Sequence, residues 1–391
     1  RPARRFTSAR NAGSLSITSN VYSKSGASVL NQSFYPLRVK ELYKDTDESV
    51  VVTFDVPEAL ADTFSFIQGQ YLTLNHLIDG EQVRRSYSIC SGLDDGHLRV
   101  AIKHVEGGVF SSWANQHLKA GDILEVMPPR GNFYSDIDPD NTKNYLCICA
   151  GSGITPFLSI IKTILAREPH SAITLLYGNQ RTSTMMFRNE LAFLKNAYLD
   201  RFHWINIFSR EPQEVDLLSG HLDNRKGGAL NRRLIRIREF DEFFLCGPEA
   251  MISEVSRGLR GEGIVEDNIH FELFAASAEN AREAIERHHA RARDYKDQVS
   301  QVSILAGGRE FAFELSTDGE NILDAGLRNG VDLPFSCKGG VCATCRARLL
   351  EGEVDMDLNQ ALRPEEIENG YILTCQSHPI SKKVVVDFDQ F

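Results

Sequence analysis

Between Phe34 and about Pro139 the apolar positions come in short runs: Val50–Val56, Tyr71–Leu74, Ser86–Cys90, Leu98–Lys103 and Ile123–Met127. Turn pairs such as Asp79-Gly80 and Asp95-Gly96 separate them, so each run reads as a strand. A regular series of short strands predicts a closed antiparallel β-barrel, interrupted by one helix from about Val109 to Leu118. From Tyr145 the period changes. Buried strands are expected at Tyr145–Cys149, Ile173–Gly178, Phe202–Phe208 and Glu242–Cys246, with helices at Pro156–Arg167, Phe187–Leu194 and Glu249–Leu259. That alternation predicts a parallel α/β sheet covered by helices on both faces. A final region, 302–391, shows β signals at Val302–Leu305, Phe311–Leu315, Ala347–Leu350 and Val384–Phe388.

Two stretches fit none of these domains. Residues 1–33 carry Arg1, Arg4, Arg5, Arg10 and Lys24 among Ser, Asn and Ala, and the first acidic residue is Glu41. This reads as a disordered basic, Ser-rich leader; an organelle transit peptide is the alternative. Residues 275–301 are rich in Ala, Glu, Arg and His with almost no large apolar residues, which reads as a linker. Glu283 and Arg287 stand four apart there, so part of it suits a solvated helix. The expected domains are therefore a barrel at 34–139, an α/β domain at 140–274, a linker at 275–301 and a small domain at 302–391.

Charge narrows the function. The 391 residues carry a net charge of −10, which disfavours a protein held on nucleic acid by a general basic surface. The longest uncharged apolar stretch, Tyr145–Ile161, contains Gly151, Gly153 and Pro156, so it reads as strand, loop and helix and not as a membrane span. From residue 299 onward there are 8 Lys and Arg against 15 Asp and Glu. An acidic surface there suits docking to a basic partner, and equally suits plain solubility.

The strongest chemical signal is a group of four cysteines. Cys337, Cys342 and Cys345 stand at C-x4-C-x2-C, and Cys375 follows. This is the plant-type [2Fe–2S] spacing, in which one loop supplies three thiolates and a distant residue the fourth. Gly339 and Gly340 allow the loop to curl and bring N–H groups to sulfur. Zinc would more often show two paired C-x2-C knuckles, and only one such pair is present. Cys90, Cys147 and Cys149 lie in apolar strands and read as core residues. Cys246 differs, because it ends a strand and precedes Gly247-Pro248.

Three weaker motifs gain meaning together. Arg85-Ser86-Tyr87-Ser88 lies on a barrel strand. Gly107-Gly108-Val109-Phe110-Ser111-Ser112 opens the barrel helix, where N–H groups and hydroxyls suit a pyrophosphate. Gly151-Ser152-Gly153-Ile154-Thr155-Pro156 follows the first α/β strand, with proline where a dinucleotide fingerprint has its third glycine.

As R-x-Y-S, G-x-G-x-x-P and C-G-P, these motifs resemble the ferredoxin–NADP reductase superfamily. The resemblance implies bound FAD: Arg85 on its pyrophosphate, Tyr87 packed on the isoalloxazine, Ser88 near its N5, and Gly107, Ser111 and Ser112 on the phosphates. It further implies a nicotinamide nucleotide at Gly151, Gly153 and Thr155, with Cys246, Gly247 and Pro248 at the nicotinamide. Tyr87, Ser88 and Cys246 would then be the catalytic residues. Glu272 and Phe274 match the closing acidic–aromatic element beside the flavin. Arg181, Ser209 and Arg210, after the second and third strands, match groups for a 2′-phosphate and so imply NADPH.

With a plant-type ferredoxin of β-grasp fold at the C-terminus, the module order resembles the reductase components of multicomponent oxygenases. Within them, the stretches Cys337–Val354, Gly370–Ser377 and Val384–Gln390 are most similar to the reductases of phenylacetyl-CoA epoxidases. A nicotinamide gives up two electrons together and a [2Fe–2S] cluster takes one, so a flavin between them suits the conversion. The resemblance implies a cytoplasmic electron-transfer enzyme that docks transiently on a di-iron oxygenase in phenylacetate degradation. Other acceptors, such as a different oxygenase or a hybrid-cluster protein, and a redox sensor without turnover, are the alternatives.

Overall fold

The computed structural model describes residues 6–7, 34–274, 278–295 and 298–390. They form two compact units, one of 34–274 and one that combines 6–7 with the described residues from 278 to 390. The leader expected at 1–33 lies outside the described residues except for strand β1 (Phe6–Thr7). Among the described residues no helix is long and apolar enough to cross a membrane.

The first unit opens with β2 (Tyr35–Thr46), β3 (Ser49–Asp55), β4 (Tyr71–Ile78), β5 (Glu81–Ser88), β6 (Leu98–Lys103), α1 (Val109–Gln116) and β7 (Ile123–Val126). The six strands form an antiparallel sheet in the order β5-β4-β7-β2-β3-β6. The outer strands meet where Ile89 bridges Val100 and Cys90 N donates to Arg99 O at 2.8 Å, which closes the sheet into a barrel. Alternate residues fill it, among them Leu37, Val39, Val50, Val52, Leu72, Leu74, Val100 and Ile102, and α1 adds Phe110 and Ala114. Strand β2 has no clear counterpart in the apolar pattern. Only Leu37 and Val39 of its twelve residues are buried, and pairing with β3 and β7 holds the rest extended.

The same unit continues through β8 (Asn144–Ala150), α2 (Ile154–Arg167), β9 (Ala172–Asn179), α3 (Arg188–Ala197), β10 (Phe202–Phe208), α4 (Asn224–Arg233), β11 (Glu242–Cys246), α5 (Glu249–Gly261) and β12 (Ile269–Glu272). The strands are all parallel in the order β10-β9-β8-β11-β12. The order reverses direction between β8 and β11, and in such sheets ligands bind at the strand ends flanking that reversal. The apolar Tyr145–Ile161 stretch is indeed strand, turn and helix. Helix α4 escaped the pattern because it is mostly Asn, Arg and Gly; Asp223 caps it, accepting from Lys226 N at 2.6 Å, and Leu230 anchors it. Barrel and parallel sheet are joined by ion pairs: Arg99 Nη2 donates to both Glu190 oxygens at 2.7 and 2.9 Å, and Lys162 Nζ meets Asp95 at 2.6 Å.

The second unit contains α6 (Ala278–Asp294), β13 (Val299–Ala306), β14 (Arg309–Ser316), α7 (Ile322–Arg328), β15 (Arg346–Glu351), β16 (Glu353–Met356), α8 (Pro364–Glu368), β17 (Tyr371–Leu373), β18 (Ser377–Pro379) and β19 (Lys383–Asp387). Five strands run β14-β13-β19-β15-β17, with β13 parallel to β19 and the other pairs antiparallel. Ile322, Leu323 and Ala325 of α7 are buried in the core of this β-grasp. A small sheet, β1-β16-β18, lies beside it. The interval expected as a linker differs from a loose tether, because α6 is anchored by a buried arginine. Arg291 Nη1 donates to Asp355 Oδ2 at 2.9 Å and Asp357 Oδ1 at 2.7 Å, and its Nε donates to Thr317 O at 3.2 Å. Nearby, Arg287 Nη1 donates to Met356 O at 2.9 Å. Apolar periodicity carries no trace of an attachment made through guanidinium groups.

Candidate functional site

At the reversal point, β8 runs into a turn, Gly151–Gly153, that starts α2. Gly153 lies against the end of β11: a Cβ built on it would stand 2.2 Å from Cys246 O. Only glycine permits that approach. Thr155 Oγ1 donates to Ser152 O at 3.0 Å, and Pro156 takes a first-turn position where its missing N–H costs nothing. Cys246 is fully buried at the last position of β11, in register with Cys149 on one side and Glu272 on the other. Burial, with the Glu272 and Cys149 side chains nearby, pushes its thiol well above the ordinary range, so it sits there as a neutral thiol. Gly247 and Pro248 lead from it into α5.

The flavin-motif residues reach the same place. Ser88, the last residue of β5, is buried, and its Oγ donates to Glu272 Oε2 at 3.1 Å. Burial raises the Glu272 carboxyl to about 8, against a smaller opposing effect of the Ser88 hydrogen bond. Ser88, Glu272 and Cys246 thus bring barrel, last strand and nicotinamide motif together. Tyr87 packs on Phe110 of α1 with centroids 5.7 Å apart, and burial pushes its phenol upward. Phe274, just past β12, is 44% exposed, an uncovered aromatic ring near the Glu272 end of the sheet.

Farther along the barrel, Arg85 is exposed, and its Nη1 donates to Arg84 O at 2.7 Å. Gly107 and Gly108 turn the chain into α1, whose first-turn N–H groups lack helical partners. Ser111 differs from a simple phosphate donor. It is buried and ties the turn together, donating to Gly108 O and accepting from Val105 N, each at 3.2 Å. Ser112 is half-buried in that first turn. At the carboxyl ends of β9 and β10, Ser209 N and Arg210 N donate to Asn179 O and Gln180 O at 2.9 Å, which draws the two strand ends together. Arg181 and Arg210 are both exposed there, and Ser209 is half-buried. Glu211 fastens this corner by accepting from Thr182 N and Oγ1, each at 2.7 Å. Nothing in the residue pattern marks Glu211 beyond its place next to Arg210.

In the second unit the four cysteines lie in two pairs. Cys337 and Cys342 are hydrogen-bonding neighbours, and so are Cys345 and Cys375. Cys342 also feels the charge of Cys337, and Cys345 that of Cys342, so the pairs adjoin. The Cys337 thiol is lowered to about 6, first by Cys342 and then by N–H groups of Gly339, Val341 and Cys342. Gly339 N donates to Cys337 Sγ at 3.3 Å. The curl comes from left-handed backbone at Lys338, Gly340 and Ala343, not at Gly339. Gln376 closes the loop: its Nε2 donates to Lys338 O at 2.9 Å and lies 3.7 Å from Cys375 Sγ. Among the described residues no three His, Cys, Asp or Glu converge on a single ion. Two adjoining thiol pairs with N–H groups aimed at sulfur fit a binuclear cluster, of which each pair would hold one iron.

Comparison with known proteins agrees with this geometry. Residues 37–134 match the oxidoreductase FAD-binding domain, 147–257 the oxidoreductase NAD-binding domain, and 306–379 the 2Fe-2S iron-sulfur cluster binding domain. The chain is 42% identical to a 1,2-phenylacetyl-CoA epoxidase subunit of Escherichia coli K12, over 91% of this chain and 98% of that one. It is 31% identical to the ferredoxin reductase component of 3-ketosteroid-9-alpha-monooxygenase of Mycolicibacterium smegmatis, over 90% and 97% of the two chains. The solved structure of phthalate dioxygenase reductase shares the fold, with a TM-score of 0.55 at 23% identity, over 91% of this chain and 98% of that one. The chain is an oxidoreductase that carries electrons from a nicotinamide nucleotide through FAD to a 2Fe-2S cluster. It belongs to the family of FAD-, NAD- and 2Fe-2S-containing reductases of ferredoxin–NADP reductase type, the family that includes this 1,2-phenylacetyl-CoA epoxidase subunit.

Proposed function

We propose that this protein is the NADPH-dependent reductase of a phenylacetyl-CoA epoxidase, delivering electrons from its cluster to a separate di-iron oxygenase in the cytoplasm. The meeting of Ser88, Glu272 and Cys246 at one point carries the entry half of this reading. Bound there, the flavin supplies the conversion from electron pairs to single electrons. Arg85 and the α1 N-terminus with Gly107 and Ser112 take its pyrophosphate, and Ser111 shapes that turn from within. Tyr87 and Phe274 flank the ring system, and Ser88 hydrogen-bonds it. Gly151, Gly153 and Thr155 receive the nucleotide, and Cys246, Gly247 and Pro248 border the nicotinamide. Cys246 is neutral and buried, so it shapes the contact and does not act as a nucleophile.

Arg181, Ser209 and Arg210 receive a 2′-phosphate, for which paired guanidinium groups are suited. Cys337, Cys342, Cys345 and Cys375 hold the cluster. The 42% likeness to the Escherichia coli protein supports the epoxidase as acceptor. Cysteines that must stay reduced to hold iron fit the cytoplasm. Docking on the oxygenase is transient and weakens with salt where the acidic face of 299–390 contributes. The test mixes this protein with NADPH, the epoxidase core, phenylacetyl-CoA and oxygen. Epoxide formation is expected. Dye reduction without epoxidation, while an authentic reductase succeeds in parallel, would remove this partner and leave a reductase for another oxygenase.

A further inference from the structure

Beneath the Gly151–Gly153 turn a line of polar contacts leads back to the flavin barrel. Tyr177 of β9 is fully buried, and its hydroxyl donates to Gly151 O at 3.0 Å. The same hydroxyl lies 3.5 Å from Met186 O. That carbonyl belongs to the peptide plane whose N–H, on Phe187, donates to Asp45 Oδ2 at 2.7 Å. Asp45 stands near the end of β2, in the barrel.

The plane is held in an unfavourable place. Phe187 adopts φ 57°, ψ 26°, a left-handed conformation that a bulky side chain avoids. Such a conformation persists only where its surroundings over-determine it. Here they do so from the barrel side. Asp45 takes the N–H, the Arg99 guanidinium lies 5.8 Å from the Phe187 ring centroid, and Arg99 also pairs with Glu190 in the first turn of α3.

We propose that Tyr177 and Asp45 are positioning residues for the nicotinamide nucleotide. Asp45 orients the Met186–Phe187 peptide, that peptide's carbonyl flanks the Tyr177 hydroxyl, and the hydroxyl fixes the Gly151 carbonyl. The turn is thereby set at one depth relative to Cys246, against which Gly153 is pressed. The barrel, which holds the flavin, thus sets the seat of the nucleotide that reduces it. The inference rests on assigning the Gly151–Thr155 turn to that nucleotide.

The experiment uses the flavin- and cluster-loaded protein carrying Tyr177→Phe, Asp45→Ala, Asp45→Asn, or Tyr177→Phe with Asp45→Ala. Calorimetry on the oxidised protein gives the NADP+ dissociation constant, and ferricyanide reduction gives KM and kcat for NADPH. Losing one neutral hydrogen bond is expected to weaken NADP+ binding and raise KM about fivefold in Tyr177→Phe. With kcat unchanged, this pattern marks lost ground-state binding. Asp45→Ala should weaken binding in the same sense, and Asp45→Asn, which keeps an acceptor oxygen, should restore it. The double variant should fall short of the product of the single effects, because both act on one path. A Tyr177→Phe protein with lowered melting temperature but native NADP+ affinity and KM would reduce Tyr177 to a core hydroxyl and overturn the proposal. Native affinity in Asp45→Ala would overturn the barrel's part in it. The wild type separates this from the functional reading: if neither NADPH nor NADH reduces its flavin, that reading fails, and if one does while the variants stay native, only this inference fails.

Discussion

Replacing Gly153 with alanine adds a single methyl group at the closest backbone approach in the proposed nucleotide site. Its carbon would stand 2.2 Å from Cys246 O, 2.7 Å from Cys246 C and 3.1 Å from Gly247 N, all of them backbone atoms. Gly153 has φ −59° and ψ −8°, which alanine adopts freely, so the substitution brings no strain of its own. The whole perturbation is the contact. To restore ordinary separation, α2 and the end of β11 must part by roughly 1 Å, and misplacement of about 1 Å at a reacting centre costs on the order of a hundredfold in rate. Overpacking adds a stability loss of about 1–3 kcal/mol. The assay is kcat/KM for NADPH with ferricyanide, read alongside the thermal midpoint. A variant with kcat/KM within about twofold of wild type would mean that the approach of the turn to Cys246 does not govern the site.

Three further outcomes follow from particular contacts. Arg291→Met leaves Asp355 and Asp357 without their buried cation, so chemical denaturation should show the C-terminal unit destabilised by about 3–5 kcal/mol; a loss below about 1 kcal/mol would mean α6 is not anchored there. Glu272, raised to about 8 from 4.5, holds its proton in the folded state where the unfolded chain has released it. Its contribution to stability is therefore full below the ordinary carboxyl value and lost as pH rises through about 8; Glu272→Gln should remove that decline from urea midpoints measured between pH 5 and pH 8, and an unchanged decline would contradict the raised value. Arg181→Ala with Arg210→Ala should lower kcat/KM for NADPH by roughly tenfold or more and leave NADH nearly unchanged, and equal specificity constants for both nucleotides in the wild type would refute the 2′-phosphate site.

The chain shows its chemistry in different degrees of plainness. That Cys337, Cys342, Cys345 and Cys375 come together was legible from spacing alone, because the plant-type pattern sets residue type and loop length together. The strands Tyr145–Cys149 and, past its leading Glu242, Phe243–Cys246 were legible because strands buried on both faces must be continuously apolar. Strand β2 and helix α4 were not, since ladder pairing and a cap hold them and neither leaves a hydrophobic period; the Glu283–Arg287 spacing pointed to a helix where α6 lies, but not to the buried arginine that anchors it. The flavin and nucleotide motifs carry no sign of the internal use of the Ser111 hydroxyl or of the hydrogen bond from Tyr177 to Gly151 O. Tyr177 reads as an apolar strand residue, and its hydroxyl finds Gly151 only once β9 lies beside β8.

The order of electron flow is the central claim, and anaerobic mixing of NADPH with Cys345→Ala tests it most directly. Cys345 lies in the second unit, so its loss should remove the cluster's visible absorbance and electron delivery to the oxygenase while flavin bleaching proceeds at the wild-type rate. Loss of flavin bleaching in a folded variant that still binds FAD would show that electrons do not enter at the flavin, and would contradict the account.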